Sequence, residues 1–251
     1  MRHALVIALL AAAALSAQEP RGGRMGFGGP QMEIAGARSL LHGVAVTGAP
    51  FSAVQVTSHV YTMANGNTIQ WQEQTNLFRD SQGRVRAETS GTGAGRQGGR
   101  TMVTIADPVA QVIRRLNPQN KTASEIAMRQ PRAGAARPAG ERQGGILAGV
   151  VKEDLGTQTL NGVAAAGTRL TRTIAAGAVG NTQPIQIVRE TWVAGDLQVP
   201  VMVKTTDPRF GTTVTQLTNI ARSEPDASLF QTPPDYTVSA GRMGMHTPQV
   251  Q

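Results

Sequence analysis

Side chains that commonly carry enzymatic chemistry are few in this 251-residue sequence, and they are widely separated. Beyond the N-terminal segment the histidines are His42, His59 and His246, and none stands near another or inside a ligand-spaced cluster of carboxylates. There is no cysteine, so a zinc site would need histidines and carboxylates brought together from distant strands. Neither a Gly-x-Ser-x-Gly nor a His-Glu-x-x-His motif is present. The sequence therefore predicts a protein that is not an enzyme and holds no metal or cofactor.

Most acidic side chains stand where a structural role explains them. Asp80, Asp107 and Asp207 each begin a turn, where an aspartate accepts a hydrogen bond from the backbone. Glu190 lies in a strand and is predicted to pair with an arginine. The letters Gly93–Gly98 satisfy Gly-x-Gly-x-x-Gly, but they follow a weakening strand and open no helix. They predict a glycine-rich loop rather than a dinucleotide site.

Two adjacent arginines, Arg114 and Arg115, lie inside an apparent strand. Successive side chains of a strand point to opposite faces, so one guanidinium faces inward and needs a carboxylate partner or a ligand anion. Arg115 is the candidate contact for such an anion. The alternative is a curved strand end at which water solvates both side chains.

The positive charge of the chain is concentrated in two stretches. The formal net charge is +8, with 24 basic and 16 acidic residues, and the arginines cluster between Arg84 and Arg100 and between Arg129 and Arg142. A nucleic-acid surface would interleave arginines with aromatic residues, whereas these stretches interleave them with Gly, Ala, Gln and Pro. They predict solvated loops and no nucleic-acid partner. Contact with anionic envelope polymers or lipid head groups stays open as an alternative.

The N-terminus has the form of an export signal. Arg2 and His3 precede an apolar run, Ala4–Leu15, that is too short to span a bilayer. We therefore predict a signal peptide over residues 1–17 and a periplasmic or extracellular protein. No later segment approaches 18 uninterrupted apolar residues, so an integral membrane protein is not expected.

Beyond the signal, the sequence is organised as a series of β-hairpins. β-branched residues alternate with polar ones, and pairs such as Asn65-Gly66 and Asn161-Gly162 mark tight turns. The pattern predicts a mainly β fold, a curved antiparallel meander that forms an open or partly closed barrel with few short helices. We expect a flexible leader at 18–48, a β domain at 49–238 with Gly/Arg-rich loops at 91–99 and 129–145, and a disordered tail at 239–251. Within the leader, one short amphipathic helix in MEIAGARSLLHGVAV stays open as an alternative, although Gly36 and Gly43 weaken it.

The stretch RETWVAGDLQVPVMVKTTDPRFG, residues 189–211, is the best candidate for a binding wall. In its second strand an apolar row with period two must be covered by protein or ligand, and Pro200 predicts an edge or a bulge. Trp71, in an earlier strand, has a similar apolar face. A purely structural core stays open as the alternative to a cavity wall. The predicted ligand-binding residues are Trp71, Arg115, Trp192, Val199, Val201 and Val203.

The segments EDLGTQTLNGV, RETW and DPRFG resemble those of a group of uncharacterised exported bacterial proteins. More remotely, the hairpin order and the closing SLF…P..Y resemble the superfamily of LolA/LolB-like periplasmic lipoprotein carriers and envelope-stress sensors. That resemblance implies a half-open β-barrel around an apolar cavity that binds a lipid or acyl chain. It carries no functional residue over to this chain.

Overall fold

The computed structural model describes residues 35–90, 101–128 and 149–240. These residues form one α-helix, α1 (Ala35–His42), one 3-10 helix (Ala227–Phe230) and twelve strands. The strands are β1 Phe51–Thr62, β2 Thr68–Arg79, β3 Val85–Ser90, β4 Thr101–Asp107, β5 Val112–Asn117, β6 Thr122–Ala127, β7 Val150–Leu160, β8 Val163–Ile174, β9 Ile185–Ala194, β10 Val199–Asp207, β11 Gly211–Ala221 and β12 Thr237–Ala240. The predicted mainly β class is confirmed.

All twelve strands belong to a single sheet with the order β12-β6-β5-β4-β3-β2-β1-β11-β10-β9-β8-β7. Two meanders, β1 to β6 and β7 to β11, meet where β1 pairs with β11, and every neighbouring pair is antiparallel except β12 with β6. The sheet is curled but does not close into a barrel. Of the predicted alternatives, the structure therefore has the open form.

The tight turns follow the local sequence. Asn161 and Gly162, which join β7 to β8, both have positive φ, at 50° and 80°. This is the backbone that a two-residue hairpin turn needs, and asparagine followed by glycine adopts it readily. Pro200 lies at a register shift between β10 and β9, which confirms the predicted bulge.

Helix α1 lies against the sheet and shows which face is concave. It contacts β3 and β4 on one side and β10 on the other. In a flat sheet β3 and β10 would be four strand spacings apart, about 19 Å, whereas a helix with its side chains is about 10–12 Å wide. The sheet must therefore bend around α1. We call the face that contacts α1 the concave face and the other the convex face.

Apolar side chains of α1 and of both meanders pack together as the main core. Along β9 its members Trp192 and Ala194 alternate with Thr191, so they lie on the other face of that strand from the concave-face residues. The backbone N–H of Ala37 in α1 donates to Oε1 of Gln55 on β1 at 2.9 Å, which fixes the helix to the centre of the sheet. The buried members of the main core are Ala37, Leu41, Phe51, Ala53, Leu77, Val85, Ala87, Ala106, Val163, Ala165, Trp192, Ala194, Leu197, Val199, Val201 and Leu217.

A second core lies on the convex face of the first meander. Strand alternation turns Ile105 away from Ala106, its neighbour in the main core, and Phe230 of the 3-10 helix covers it. Nη1 of Arg86 on β3 donates to the carbonyl of Leu229 at 2.7 Å. The chain thus crosses the convex face after β11 and reaches β6, where β12 adds the parallel pair.

Two expectations differ from the structure. The segment 18–48, expected as a flexible leader, contains α1, because Ala37, Leu40 and Leu41 have helical spacing and pack on the main core. The segment 239–251, expected as a tail, begins inside β12. The predicted signal peptide and the loops at 91–99 and 129–145 lie outside the described residues. Within the described ranges no helix is both long enough and apolar enough to cross a membrane.

Candidate functional site

Beyond the main core, the concave face continues as two rows of side chains that run across the strands. Directly opposed residues of antiparallel neighbours share a face, and Gln55, which contacts α1, lies two residues before the first row on β1. We call these the upper rows. One contains Glu73, Thr57, Thr215, Val203 and Thr191, and the other Trp71, His59, Thr213, Thr205 and Arg189.

Hydroxyl groups dominate the centre of the upper rows. Oγ1 of Thr57 lies 3.1 Å from Oγ1 of Thr215, and Nδ1 of His59 lies 2.8 Å from Oγ1 of Thr213. The three threonines are buried. A hydroxyl both donates and accepts, so buried threonines across a strand pair satisfy one another. The concave face is therefore polar at its centre, on β1 and β11.

On the side of the upper rows away from the main core, near the β1–β2 and β10–β11 turns, the side chains are aromatic and apolar. The rings of His59 and Trp71 stack with centroids 5.6 Å apart, and Trp71 is half-buried. Ile69, at the start of β2, and Phe210, in the turn before β11, are exposed at this end of the sheet. A β-carbon on Gly211 would collide with the carbonyl of Val60, so the two hairpin ends lie in close contact. An apolar rim thus borders the polar rows.

Arg189 is the unusual charge of the upper rows. Its side chain is half-buried, and burial lowers the pKa of the guanidinium from its ordinary value. No other residue in the described part of the chain forms an ion pair or a hydrogen bond with that guanidinium. A cation withdrawn from water without a partner is the kind of group that a ligand anion satisfies.

The predicted site residues lie in three places: the main core, the upper rows, and strand β5 of the first meander. Trp192, Val199 and Val201 lie together in the main core, so the structure brings them together as packed interior. Val203 and Trp71 lie in the upper rows instead.

Arg115 is exposed on β5, in the first meander, whereas Arg189 lies on β9 in the second. Its register partners Thr104 and Ser124 share its face, and Thr104 in turn opposes Ala87 of the main core. This places Arg115 on the concave side, but across the sheet from Arg189.

The adjacent Arg114 has the carboxylate partners that an inward-facing arginine requires. Nη1 of Arg114 donates to Oδ2 of Asp107 at 3.0 Å, and Nε donates to Oε2 of Glu125 at 3.2 Å. Burial alone would raise the pKa of Asp107, but hydrogen bonds from Ala110 N–H and from Arg114 outweigh it and lower the pKa. Arg114 is thus a structural residue.

A second buried arginine also has a structural role, which the sequence did not reveal. Arg79 is 1% exposed, and its Nη2 donates to the carbonyls of Ala49 at 2.7 Å and Leu197 at 2.6 Å. Its guanidinium lies over the Phe51 ring, 4.8 Å from the centroid. These bonds connect the start of β1 to the turn between β9 and β10. Nη1 of Arg79 has no hydrogen-bond partner.

Residues 35–90, 101–128 and 149–240 contain no group of three or more His, Asp or Glu side chains that could hold a metal ion. The predicted pairing of Glu190 with an arginine is confirmed, since Nε of Arg169 donates to its Oε1 at 3.0 Å. The chemistry that the site offers is binding by hydroxyls, aromatic rings and one unpaired guanidinium.

No protein-family model and no curated protein matches this sequence. Among solved structures, the chain is similar to one in the Pseudomonas aeruginosa MucA/MucB complex, with 12% identity over 81% of this chain and 60% of that chain and a TM-score of 0.42. It is also similar to a LolA superfamily protein from Nitrosomonas europaea, with 9% identity, coverage of 78% and 97%, and a TM-score of 0.32. The Mycobacterium tuberculosis lipoprotein LppX matches with 14% identity, coverage of 77% and 96%, and a TM-score of 0.32.

This chain spans about three fifths of the chain that it matches in the MucA/MucB complex. These neighbours include MucB and a member of the LolA superfamily, in line with the remote resemblance of the sequence.

Sequence reasoning missed the upper rows for a specific reason. In β1 the letters VQVTSHV favour the valines as the buried side, whereas Gln55 and Thr57 are buried at 4% and 5% exposure and Val54 and Val56 are half-buried. Both faces of this strand are covered, so alternation of polarity does not identify the concave side. The signal that could have found the rows is the pair Thr213 and Thr215, two positions apart in β11 and therefore on one face.

Proposed function

We propose that this protein is a non-catalytic, exported binding protein that holds an amphiphilic ligand, such as a lipid or another acyl-bearing molecule, on its concave face. The observation that carries the proposal is the order of surfaces along that face. Polar upper rows lie between the main core and an exposed apolar rim. A ligand with an apolar and a polar part matches such a surface, since each part finds its own kind of contact.

In this proposal the predicted site residues have different roles. Trp71, at the rim, contacts the ligand directly, and Val203, which is buried in the upper rows, forms the wall beneath it. Trp192, Val199 and Val201 belong to the packed main core and support the fold without touching the ligand.

The test uses each tryptophan in turn as a reporter. In a Trp192→Phe variant only Trp71 emits, and decyl maltoside below its micelle concentration is expected to shift that emission to shorter wavelength. In a Trp71→Phe variant only Trp192 emits, and no shift is expected, because that ring is 7% exposed and packs on Gly167. An unchanged Trp71 emission in a folded variant would contradict the proposal.

A matched pair of valine variants locates the contact. Val203→Thr replaces a methyl group in the upper rows by a hydroxyl and should weaken decyl maltoside binding about threefold to tenfold. Val151→Thr makes the same change on exposed β7 and should leave binding unchanged. Equal effects of the two variants would show that the ligand does not bind at the rows.

The alternative function, contact with anionic envelope partners through the Arg-rich loops, stays a prediction, since those stretches lie outside the described residues. Salt dependence separates the two functions. Binding through the loops should weaken steeply as ionic strength rises, whereas binding of a neutral amphiphile on the concave face should hardly change.

A further inference from the structure

Three polar groups without partners converge around one position of the upper rows. Arg189 on β9 directly opposes Thr205 on β10, and Thr191 lies two residues along β9 on the same face. The hydroxyls of Thr191 and Thr205, like the guanidinium, form no hydrogen bond with another described residue. All three side chains are half-buried. None of their polar atoms is among the fully buried unpaired ones, so all three groups face solvent on the concave side, where one ligand can reach them together.

The neighbouring charges do not neutralise this position. Asp207, two residues beyond Thr205 on β10, is held by Arg209, whose Nε and Nη2 donate to its two carboxylate oxygens at 2.9 and 2.7 Å. Glu73 lies at the far end of its row, on β2, three strands away from β10. On β7 the exposed Lys152 and Asp154 continue these two rows, two strands from β9, and their opposite charges offset each other. The local field therefore favours an anion.

The donor set favours a tetrahedral oxyanion over a carboxylate. A guanidinium offers a planar fork that engages two oxygens, and each threonine hydroxyl donates one further hydrogen bond. A phosphate monoester spreads these four donors over three terminal oxygens arranged in three dimensions, whereas a carboxylate would have to accept all four on two coplanar oxygens.

We propose that Arg189, with Thr191 and Thr205, binds the phosphate group of an anionic ligand on the concave face. This inference rests on the proposed function when the phosphate belongs to the polar end of a bound amphiphile. It stands independently when the ligand is free phosphate.

The test compares two ligands that share a decyl chain, decyl phosphate and neutral decyl maltoside, by titration calorimetry. The wild-type protein is expected to bind decyl phosphate about tenfold or more tightly than decyl maltoside, as a charge-assisted hydrogen bond implies. Arg189→Gln should remove this preference while leaving decyl maltoside binding intact. Arg189→Lys, which keeps the charge and loses the fork, should restore only part of it.

Arg169→Gln is the matched control. It makes the same change on β8 but on the opposite face, where Arg169 pairs with Glu190 and Glu153, and it should keep the full preference. A wild-type preference that survives in folded Arg189→Gln would overturn the phosphate site and leave the proposed function standing.

Inorganic phosphate separates the two sources of the anion. If decyl maltoside does not bind, the proposed function fails. A rise in melting temperature on adding phosphate, present in the wild type and in Arg169→Gln but absent in Arg189→Gln, would then still support the site as one for free phosphate. No effect of inorganic phosphate together with no preference for decyl phosphate would overturn it.

Discussion

Two arginines withdrawn from water without a carboxylate, Arg79 and Arg189, show how differently a buried guanidinium can be used. Burial lowers the pKa of both from the ordinary value. Arg79 donates to backbone carbonyls and an aromatic ring covers it, so it is part of the interior. Arg189 has no such partners in the described part of the chain, and it is available for a ligand.

Replacing Arg79 should destabilise the fold strongly. Arg79→Met leaves the carbonyls of Ala49 and Leu197 without their donor, and the expected loss of unfolding free energy is about 2–4 kcal/mol. Arg222→Gln, which removes an exposed ion pair with Asp196, should cost less than about 1 kcal/mol. Urea unfolding of both variants measures the difference, and comparable losses would show that Arg79 is not a structural connection.

Asp207 gives the fold a defined dependence on pH. Burial alone would raise the pKa of Asp207, but hydrogen bonds from the side chain and backbone of Arg209 outweigh it and lower the pKa below the ordinary value. A carboxyl with a lowered folded pKa stabilises the protein above its unfolded pKa, near 4, and this contribution is lost as the pH falls.

Asp207→Asn should therefore be less stable than the wild type at pH 7, and the difference should shrink as the pH falls from about 5 to below 3. Arg209→Gln removes the two side-chain hydrogen bonds but keeps the one from the backbone N–H, so it should show the same trend with a smaller difference. Unfolding free energies measured in urea across this range check the prediction. A difference that stays constant with pH would mean that the Asp207 carboxyl does not titrate differently on folding.

At the scale of elements, β8 and β9 depend on a glycine facing a tryptophan. Gly167 directly opposes Trp192, and a β-carbon on Gly167 would lie 2.6–2.7 Å from three atoms of its ring. Gly167→Ala should cost about 1–3 kcal/mol, because neither the strand nor the packed ring can move away freely. Gly195→Ala, in the following turn, meets nothing within 4 Å and is the matched control.

A double-mutant cycle tests the cause. Combining Gly167→Ala with Trp192→Leu should cost less than the sum of the two single changes, since the smaller side chain makes room for the methyl group. Additive losses would mean that the two residues do not clash.

The elements also show what the sequence could and could not predict. The hairpins and the turn aspartates were predictable because they depend on neighbours: Oδ1 of Asp207 accepts from the N–H of Arg209, as the turn pattern requires. Helix α1 was harder, because its short apolar stripe is stable only through packing on strands far along the chain. The upper rows required the register between β1 and β11, whose partners Thr57 and Thr215 are 158 residues apart.

At the scale of the whole molecule, the two Arg-rich stretches connect very different places. Ser90 and Thr101 are register partners, so residues 91–100 join two strands that already lie side by side. Residues 128–149 instead join β6, next to one edge of the sheet, to β7 at the other edge. In a flat sheet these strands would be about 48 Å apart.

Shortening the two connections should therefore have different effects. Replacing residues 91–100 by Asn-Gly should change the unfolding free energy by less than about 1 kcal/mol, because a tight turn can close the hairpin. Deleting 133–145 leaves nine of the 22 residues between Ala127 and Val150, a reach of about 30–35 Å. That deletion should lower the melting temperature, and an unchanged value would show that curvature brings the two edges within this reach.

The central pairing of β1 with β11 also has a consequence for folding kinetics. Each meander is built from local hairpins, but the main core needs Val85 and Ala87 from the first and Val199 and Val201 from the second. Contacts between residues so far apart in the sequence give a high contact order, which predicts slow folding. A chain that ends before Gly211 is expected to give no cooperative unfolding transition, because β11 is missing. During synthesis, the full-length protein therefore cannot complete its main core until almost all of the chain has been made. This delay would keep the chain unfolded, as translocation across a membrane by the predicted export signal requires.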